Sequence, residues 1–124
     1  MVRNHHLVQG LLARHEVWAG FRGRDGDPRF KGEIPARWPL FDPLFLWKSY
    51  RAVKENAIEA VVASSLIAGL HGVLLKRLTG CRFWMDEHNV EWHCCRRYGL
   101  KTWWLIFLLE GFILKQADHI TCVS

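Results

Sequence analysis

No two of the four cysteines stand at CxxC spacing: they fall at positions 81, 94, 95 and 122, and the adjacent Cys94 and Cys95 are badly placed to bond each other. No leader segment precedes the first helix, so a disulfide framework fits poorly and a reduced, cytoplasmic setting is expected. His88, His93, Cys94 and Cys95 are all metal-ligand types, but their spacing matches no zinc pattern, and no metal is expected. An apolar run long enough for a bilayer is also lacking. The most apolar stretch, Trp103 to Leu114, is interrupted by Glu110 and falls short of the ~20 residues that a membrane-spanning helix needs. No internal repeat is visible. Nor do the cations cluster: 17 Lys and Arg against 12 Asp and Glu give a formal charge of +5, scattered along the chain. Such a charge favours anionic partners in general, whether nucleotides, phospholipid headgroups or nucleic acid.

What is present has the size and balance of one globular domain, 124 residues of which 50% are hydrophobic. Residues 3–14 place Leu7 and Leu11 on one face at helical spacing, and Val17 to Phe21 read as a strand after His15-Glu16. Residues 22–39 carry Gly23, Gly26, Pro28, Gly32, Pro35 and Pro39, the signature of a loop, with Arg22, Arg24, Arg29, Lys31 and Arg37 making it basic. Asp42-Pro43 is a helix start, Asp as cap and Pro at the first helical position. That helix is expected to run to about Glu59 and to bury Leu44, Trp47, Val53 and Ala57. A strand, Ala60 to Ala63, follows and ends at Ser64-Ser65. Ser65 then caps a helix from Leu66 to Leu78, in which Gly69 and Gly72 permit close packing on a sheet before Thr79-Gly80 stops it.

The next strand organises the chain. A short apolar run after Gly80 ends abruptly in Asp86, Glu87, His88 and Asn89. In open α/β sheets ligands collect beyond the carboxyl ends of the strands, so a His there has a natural post; the alternative is a polar loop that only turns the chain. Residues 92–99 read as a basic, aromatic connection, 101–117 as a very apolar helix, and 118–124 as a final strand. Short apolar strands alternating with helices predict an α/β fold, a parallel sheet with helices on both faces.

Several blocks resemble the amino-terminal domain of GT-B glycosyltransferases of family 4, in its subfamily-4-like form. They are Arg3 with the helix leading into His15-Glu16-Val17, then Val61 to Ser65 followed by Ala68-Gly69-Leu70, then Asp86-Glu87-His88-Asn89-Val90-Glu91, and finally Glu110 with Ala117-Asp118-His119-Ile120-Thr121-Cys122-Val123-Ser124. The likeness spans nearly the whole chain, and the last two blocks are the most specific. It implies a Rossmann-like sheet lacking its first strand and glycine-rich loop, cut also before the carboxyl-terminal domain whose paired glutamates hold the donor. Such a fragment is expected to be inactive alone and poorly stable.

The resemblance implies transfer of a sugar, with retention of configuration, from a nucleotide-sugar donor to a glycan or lipid-linked acceptor, without a metal. His88 matches the family histidine that bonds the transferring sugar, a task suited to an imidazole that donates or accepts near neutral pH; a strand-end His bonded to a neighbouring carbonyl is the alternative. Asn89 and Glu91 are candidates for acceptor hydroxyls, or else shape the turn. Ser64 and Ser65 end another strand on the same edge and are candidate ligand contacts, although capping alone accounts for Ser65. Arg3 would lie near the donor phosphates, where a guanidinium fork suits phosphate oxygens. Glu110 is expected to be structural, bonded across its helix or facing water. Peripheral contact with an anionic membrane would use Arg96, Arg97 and Lys101 beside Trp103, Trp104, Phe107 and Phe112. Two rivals stand beside this reading: a GT-B sugar epimerase, and a non-enzymatic basic module that binds membrane or nucleic acid, though no nucleic acid partner is expected.

Overall fold

A computed structural model describes residues 2–21, 29–38, 41–87 and 90–122, and of residues 2–6, 19 and 21 the backbone only. The elements run α1 (Val2–Leu12), β1 (Trp18–Phe21), β2 (Gly32–Pro35), α2 (Pro43–Glu55), β3 (Ala60–Ala63), α3 (Leu66–Thr79), β4 (Arg82–Glu87), α4 (Glu91–Arg97), α5 (Trp103–Gln116) and β5 (His119–Cys122). The chain divides into two compact units, Met1–Arg51 and Ala52–Ser124.

In the first unit β1 and β2 pair in parallel, Trp18 opposite Gly32 and Phe21 opposite Pro35. The loop expected over 22–39 therefore contains a strand. Gly32 and Pro35 read as breakers, yet both have a place in it. The Trp18 ring lies across Gly32, where an added Cβ would come within 2.2 Å of it. Pro35, which lacks an N–H, stands last in an edge strand, where Pro is tolerated. The loop's Arg22 and Arg24 lie outside the described residues. Asp42 starts α2 as expected, its Oδ1 accepting from the Phe45 amide at 3.0 Å and its Oδ2 from the Arg37 amide at 2.7 Å. The buried stripe of α2 differs from the expected one. Leu44 and Trp47 are 46% and 57% exposed and Ala57 is exposed too, while Val53 is buried as expected, together with Ser49 and Ala52, so the inward face is turned from the one the apolar residues suggest. The helix stops at Glu55 instead of Glu59, because Ala57 takes a left-handed backbone with φ 49°.

The second unit is a parallel sheet in the order β3-β4-β5, flanked by helices as the alternating pattern predicts. Ala63 stands opposite Met85, and Met85 opposite Ile120. Helix α3 has the predicted ends: the Ser65 hydroxyl accepts from the Ala68 amide at 3.2 Å, and Gly80 closes it with φ 76°. Its glycines do what their positions suggested. A Cβ on Gly72 would lie 2.4 Å from the Phe83 ring, and one on Gly69 would lie 2.9 Å from Ile113 and 3.2 Å from the Met85 sulfur. The helix backbone thus approaches β4 closely, and Ala63, Val73, Phe83, Met85 and Ile113 form the buried core. Residues expected to be a mere connection after Glu91 form helix α4. All four cysteines are free thiols.

Candidate functional site

Side chains alternate along β4. Phe83 and Met85 point into the core under α3 and α5, so Glu87 points the same way and Trp84 and Asp86 point to the opposite face. On that opposite face the pairs set by the ladder meet directly. Trp84 packs against His119 with ring centroids 5.1 Å apart, and the Thr121 hydroxyl donates to the buried Asp86 at 2.5 Å.

On the core side, the chain's direction brings a second carboxyl to Glu87. Because β4 and β5 are parallel, α5 must run back along β4. Ile113 lies beside Met85 around Gly69. Glu110, one turn earlier on the same face of α5 and ~4.5 Å further along its axis, therefore stands level with Glu87, two residues beyond Met85. Glu110 is 4% exposed. Its Oε1 accepts from the Glu91 amide at 3.0 Å and its Oε2 from the Trp92 amide at 3.3 Å. Those are the first amides of α4, whose own cap residue, Val90, offers no side-chain acceptor. The carboxyl of Glu87 is hydrogen-bonded to Glu110 as well. Its pKa is pushed up to about 7, chiefly by burial, then by the bond to Glu110 and by the negative charges of Glu110, Glu91 and Asp86. Its Oε2 is buried without a hydrogen-bond partner among the described residues.

Of the residues singled out from the sequence, His88 and Asn89 lie outside the described residues. Glu91 opens α4 and is half-buried. Ser64 and Ser65 are exposed where β3 ends, level with Asp86 in the sheet register. The carboxyl edge of the sheet therefore collects Ser64, Ser65, Glu87 and Glu91. Arg3 belongs to α1 in the other unit, and its side chain is not among those described. The sequence pattern marks Glu87 only as one of four polar residues at the strand end, not as a site residue, and leaves the partner of Glu110 open. A signal for both was available: Glu87 shares the strand parity of Phe83 and Met85, and Glu110 precedes Ile113 by one turn in an otherwise apolar helix.

Next to this edge α4 and α5 form a shallow aromatic groove of about 350 Å³ lined by Trp92, Arg96, Trp103, Trp104, Phe107 and Leu108. Trp92 meets Phe107 edge-on at 5.4 Å, and the Arg96 guanidinium lies 5.3 Å over the Trp103 ring. Among the described residues, no cluster of three His, Cys, Asp or Glu is arranged to hold a metal ion, and no helix is long and apolar enough to cross a membrane.

Comparison with known proteins returns one family, described as Glycosyltransferase Family 4, matched over residues 2–124. The O-antigen biosynthesis glycosyltransferase WbnH of Escherichia coli is 30% identical over 117 residues, which are 94% of this chain and 30% of that protein. The probable O-antigen biosynthesis glycosyltransferase WbiN of Escherichia coli matches with the same identity and coverage. The chain thus spans 30% of the length of these curated relatives. No solved structure matches it.

Proposed function

The chain belongs to glycosyltransferase family 4, and from that premise we propose that it forms the acceptor-side, amino-terminal part of a GT-B enzyme moving a sugar from a nucleotide-sugar donor to a glycan or lipid-linked acceptor. The family match along the whole chain carries this reading. Two relatives whose names place them in O-antigen biosynthesis support a polysaccharide product. In this proposal transfer retains anomeric configuration, and a donor-binding domain supplies the other wall of the cleft. His88 hydrogen-bonds the transferring sugar, since an imidazole at a strand's carboxyl end can donate or accept near neutral pH. Asn89 and Glu91 contact acceptor hydroxyls, Ser64 and Ser65 line the same edge, and Arg3 faces the donor phosphates.

The test is turnover of a panel of UDP- and GDP-sugars with a polyprenyl-diphosphate-linked saccharide as acceptor. The enzyme with both domains is expected to transfer sugar, with EDTA present or absent, and residues 1–124 alone to transfer none. His88→Ala should lower kcat by about a hundredfold or more, the range for a positioned acid-base side chain. Wild-type rates in His88→Ala, or steady turnover by the 124 residues alone, would refute the assignment. A free epimerised nucleotide sugar as the product would point to an epimerase instead.

A second reading concerns where the enzyme works. Trp104, Phe107 and Leu108 are 50%, 49% and 58% exposed on α5, and the exposed Arg96, Arg97 and Lys101 lie beside them. Aromatic and apolar side chains next to cations suit an anionic lipid surface, which the rings enter while the cations meet headgroups. Co-sedimentation with phosphatidylglycerol vesicles, lost in Trp104→Ala/Phe107→Ala and absent with phosphatidylcholine, is the expected result. Equal binding to both lipids would sink the idea.

A further inference from the structure

We infer that the groove between α4 and α5 is a lipid-phosphate site: it takes the first part of a single prenyl chain, while Arg96, Arg97 and Lys101 bind the diphosphate at its head. The inference rests on the acceptor role proposed above and narrows the acceptor to the lipid-linked kind. Two helices build the groove. Trp92, early in α4, meets Phe107, and Arg96, near the end of α4, meets Trp103 at the start of α5, so the helices run antiparallel. Residues four apart share a helix face. Trp92 with Arg96, Trp103 with Phe107 and Trp104 with Leu108 therefore give the lining three rows, each ~6 Å long. Five of these six side chains are apolar or aromatic. The volume of about 350 Å³ is near the lower end of the roughly 300–1,000 Å³ typical of small-molecule sites, which suits one chain and not two.

Charge complementarity identifies the head. The Arg96 guanidinium lies 5.3 Å over the Trp103 ring; stacking uses its flat face and leaves the N–H donors at its edge for phosphate oxygens. Arg97 and Lys101 are exposed beside it, where α4 ends and the turn into α5 follows. Among the described residues, none of the three forms an ion pair. Three uncompensated cations exceed the single charge of a phospholipid's phosphodiester and match a diphosphate. Positive charge at one end and apolar surface along the rest fit an amphiphile with an anionic head and one tail.

Calorimetric titration of the intact enzyme with geranylgeranyl diphosphate, below the concentration at which it forms micelles, tests the inference without requiring transfer. Inorganic diphosphate, geranylgeraniol and phosphatidylglycerol vesicles are the comparison ligands. Geranylgeranyl diphosphate is expected to bind at least about tenfold more tightly than inorganic diphosphate or the alcohol, since each lacks one half of the contacts. Trp103→Ala should weaken it by about tenfold or more, and so should Arg96→Gln/Arg97→Gln/Lys101→Gln, which should also bring its affinity down to that of the alcohol. Should Trp103→Ala fail to fold, Leu108→Asp at the exposed wall gives the same reading. Leu105 and Phe112 are exposed on α5 outside the groove, so Leu105→Ser/Phe112→Ser should leave prenyl diphosphate binding unchanged. Equal affinity for inorganic diphosphate would make the cations a plain phosphate site and overturn the inference. Binding to vesicles without binding to soluble geranylgeranyl diphosphate would overturn it too, leaving only a surface for bulk lipid, and so would equal losses in Leu105→Ser/Phe112→Ser and Trp103→Ala. Tight, groove-dependent binding by an enzyme that transfers no sugar would sustain the lipid site while removing the functional reading on which the acceptor role rests.

Discussion

Asp118 and Glu110 each accept main-chain N–H groups near one end of β4, Asp118 from Phe83 within the strand and Glu110 from Glu91 and Trp92 at the start of α4, yet their surroundings are opposite. At the amino end, the half-exposed Asp118 accepts from the Phe83 amide at 2.8 Å and from the Lys76 ammonium at 2.7 Å, and its own amide donates to the Phe83 carbonyl at 2.7 Å. The Lys76 bond, then the Phe83 amide, hold its carboxyl below the usual carboxylate range. At the carboxyl end, Glu110 is buried and faces a second carboxyl, and Glu87 is pushed up to about 7. The same device, an acid on backbone amides, is thus built once as an exposed ion pair and once as a buried acid pair. An ion pair at the surface costs little to maintain. A buried acid pair holds a proton near neutrality and leaves one buried oxygen without a hydrogen-bond partner among the described residues, and shifted acids of this kind tend to be kept where chemistry is done.

Between the two ends lies the core that both depend on, and breaking it should have the largest effect. Gly72→Ala brings a methyl within 2.4 Å of the Phe83 ring, which is fully buried and has nowhere to retreat. Overpacking of this kind costs about 3 kcal/mol, against about 1 kcal/mol gained from helix propensity. A net loss of about 2 kcal/mol in denaturant unfolding is expected. Gly111→Ala is the matched control, since an added Cβ there meets nothing within 4 Å, and it should be neutral or stabilising by up to ~1 kcal/mol. If the two variants melt alike, close packing of α3 on β4 is not what sets the sheet.

Features whose cause lies within a few residues were legible in the sequence. Ser65 and Gly80 bound α3, Asp42 starts α2, and the alternation of strands and helices yields the parallel sheet. Features whose cause lies far along the chain were not. Helix α4 has no cap in its own segment, because its acceptor, Glu110, is 19 residues beyond Glu91. Strand β2 hides behind Gly32 and Pro35, which are explained only by Trp18 and the sheet edge. For α2 apolar character alone identifies Val53 correctly but not Leu44, Trp47 or Ala57, which are exposed, whereas Ser49 is buried and Trp47 stacks on Tyr50, 5.6 Å between centroids. At the site, the sequence pointed to the end of β4 through a run of polar residues. It could not show that Glu87, a member of that run, meets Glu110 from α5.

Titration sharpens the comparison between the ends, since the two acids should act in separate pH windows and with opposite sign. Glu87 has a folded pKa of about 7 against an ordinary value of 4.5. Between those values the folded state holds more protons than the unfolded one, so stability should fall as pH rises across the window and level off above it. Glu87→Gln should flatten that slope and stabilise the protein at pH 8 by about 1 kcal/mol, a figure already reduced for solvent screening. Asp118, with a folded pKa below 3.8, contributes stability that is complete above the ordinary value and is lost as pH falls through the folded one. Asp118→Asn keeps an acceptor for the Phe83 amide and removes only the charge facing Lys76. Its Tm should therefore drop by no more than about 2 °C at pH 7 and match wild type once both are acidified past the folded value. A Tm difference that persisted at low pH would mean that Asp118 holds β4 through geometry alone, and the contrast between an ion-paired end and an acid-paired end would disappear.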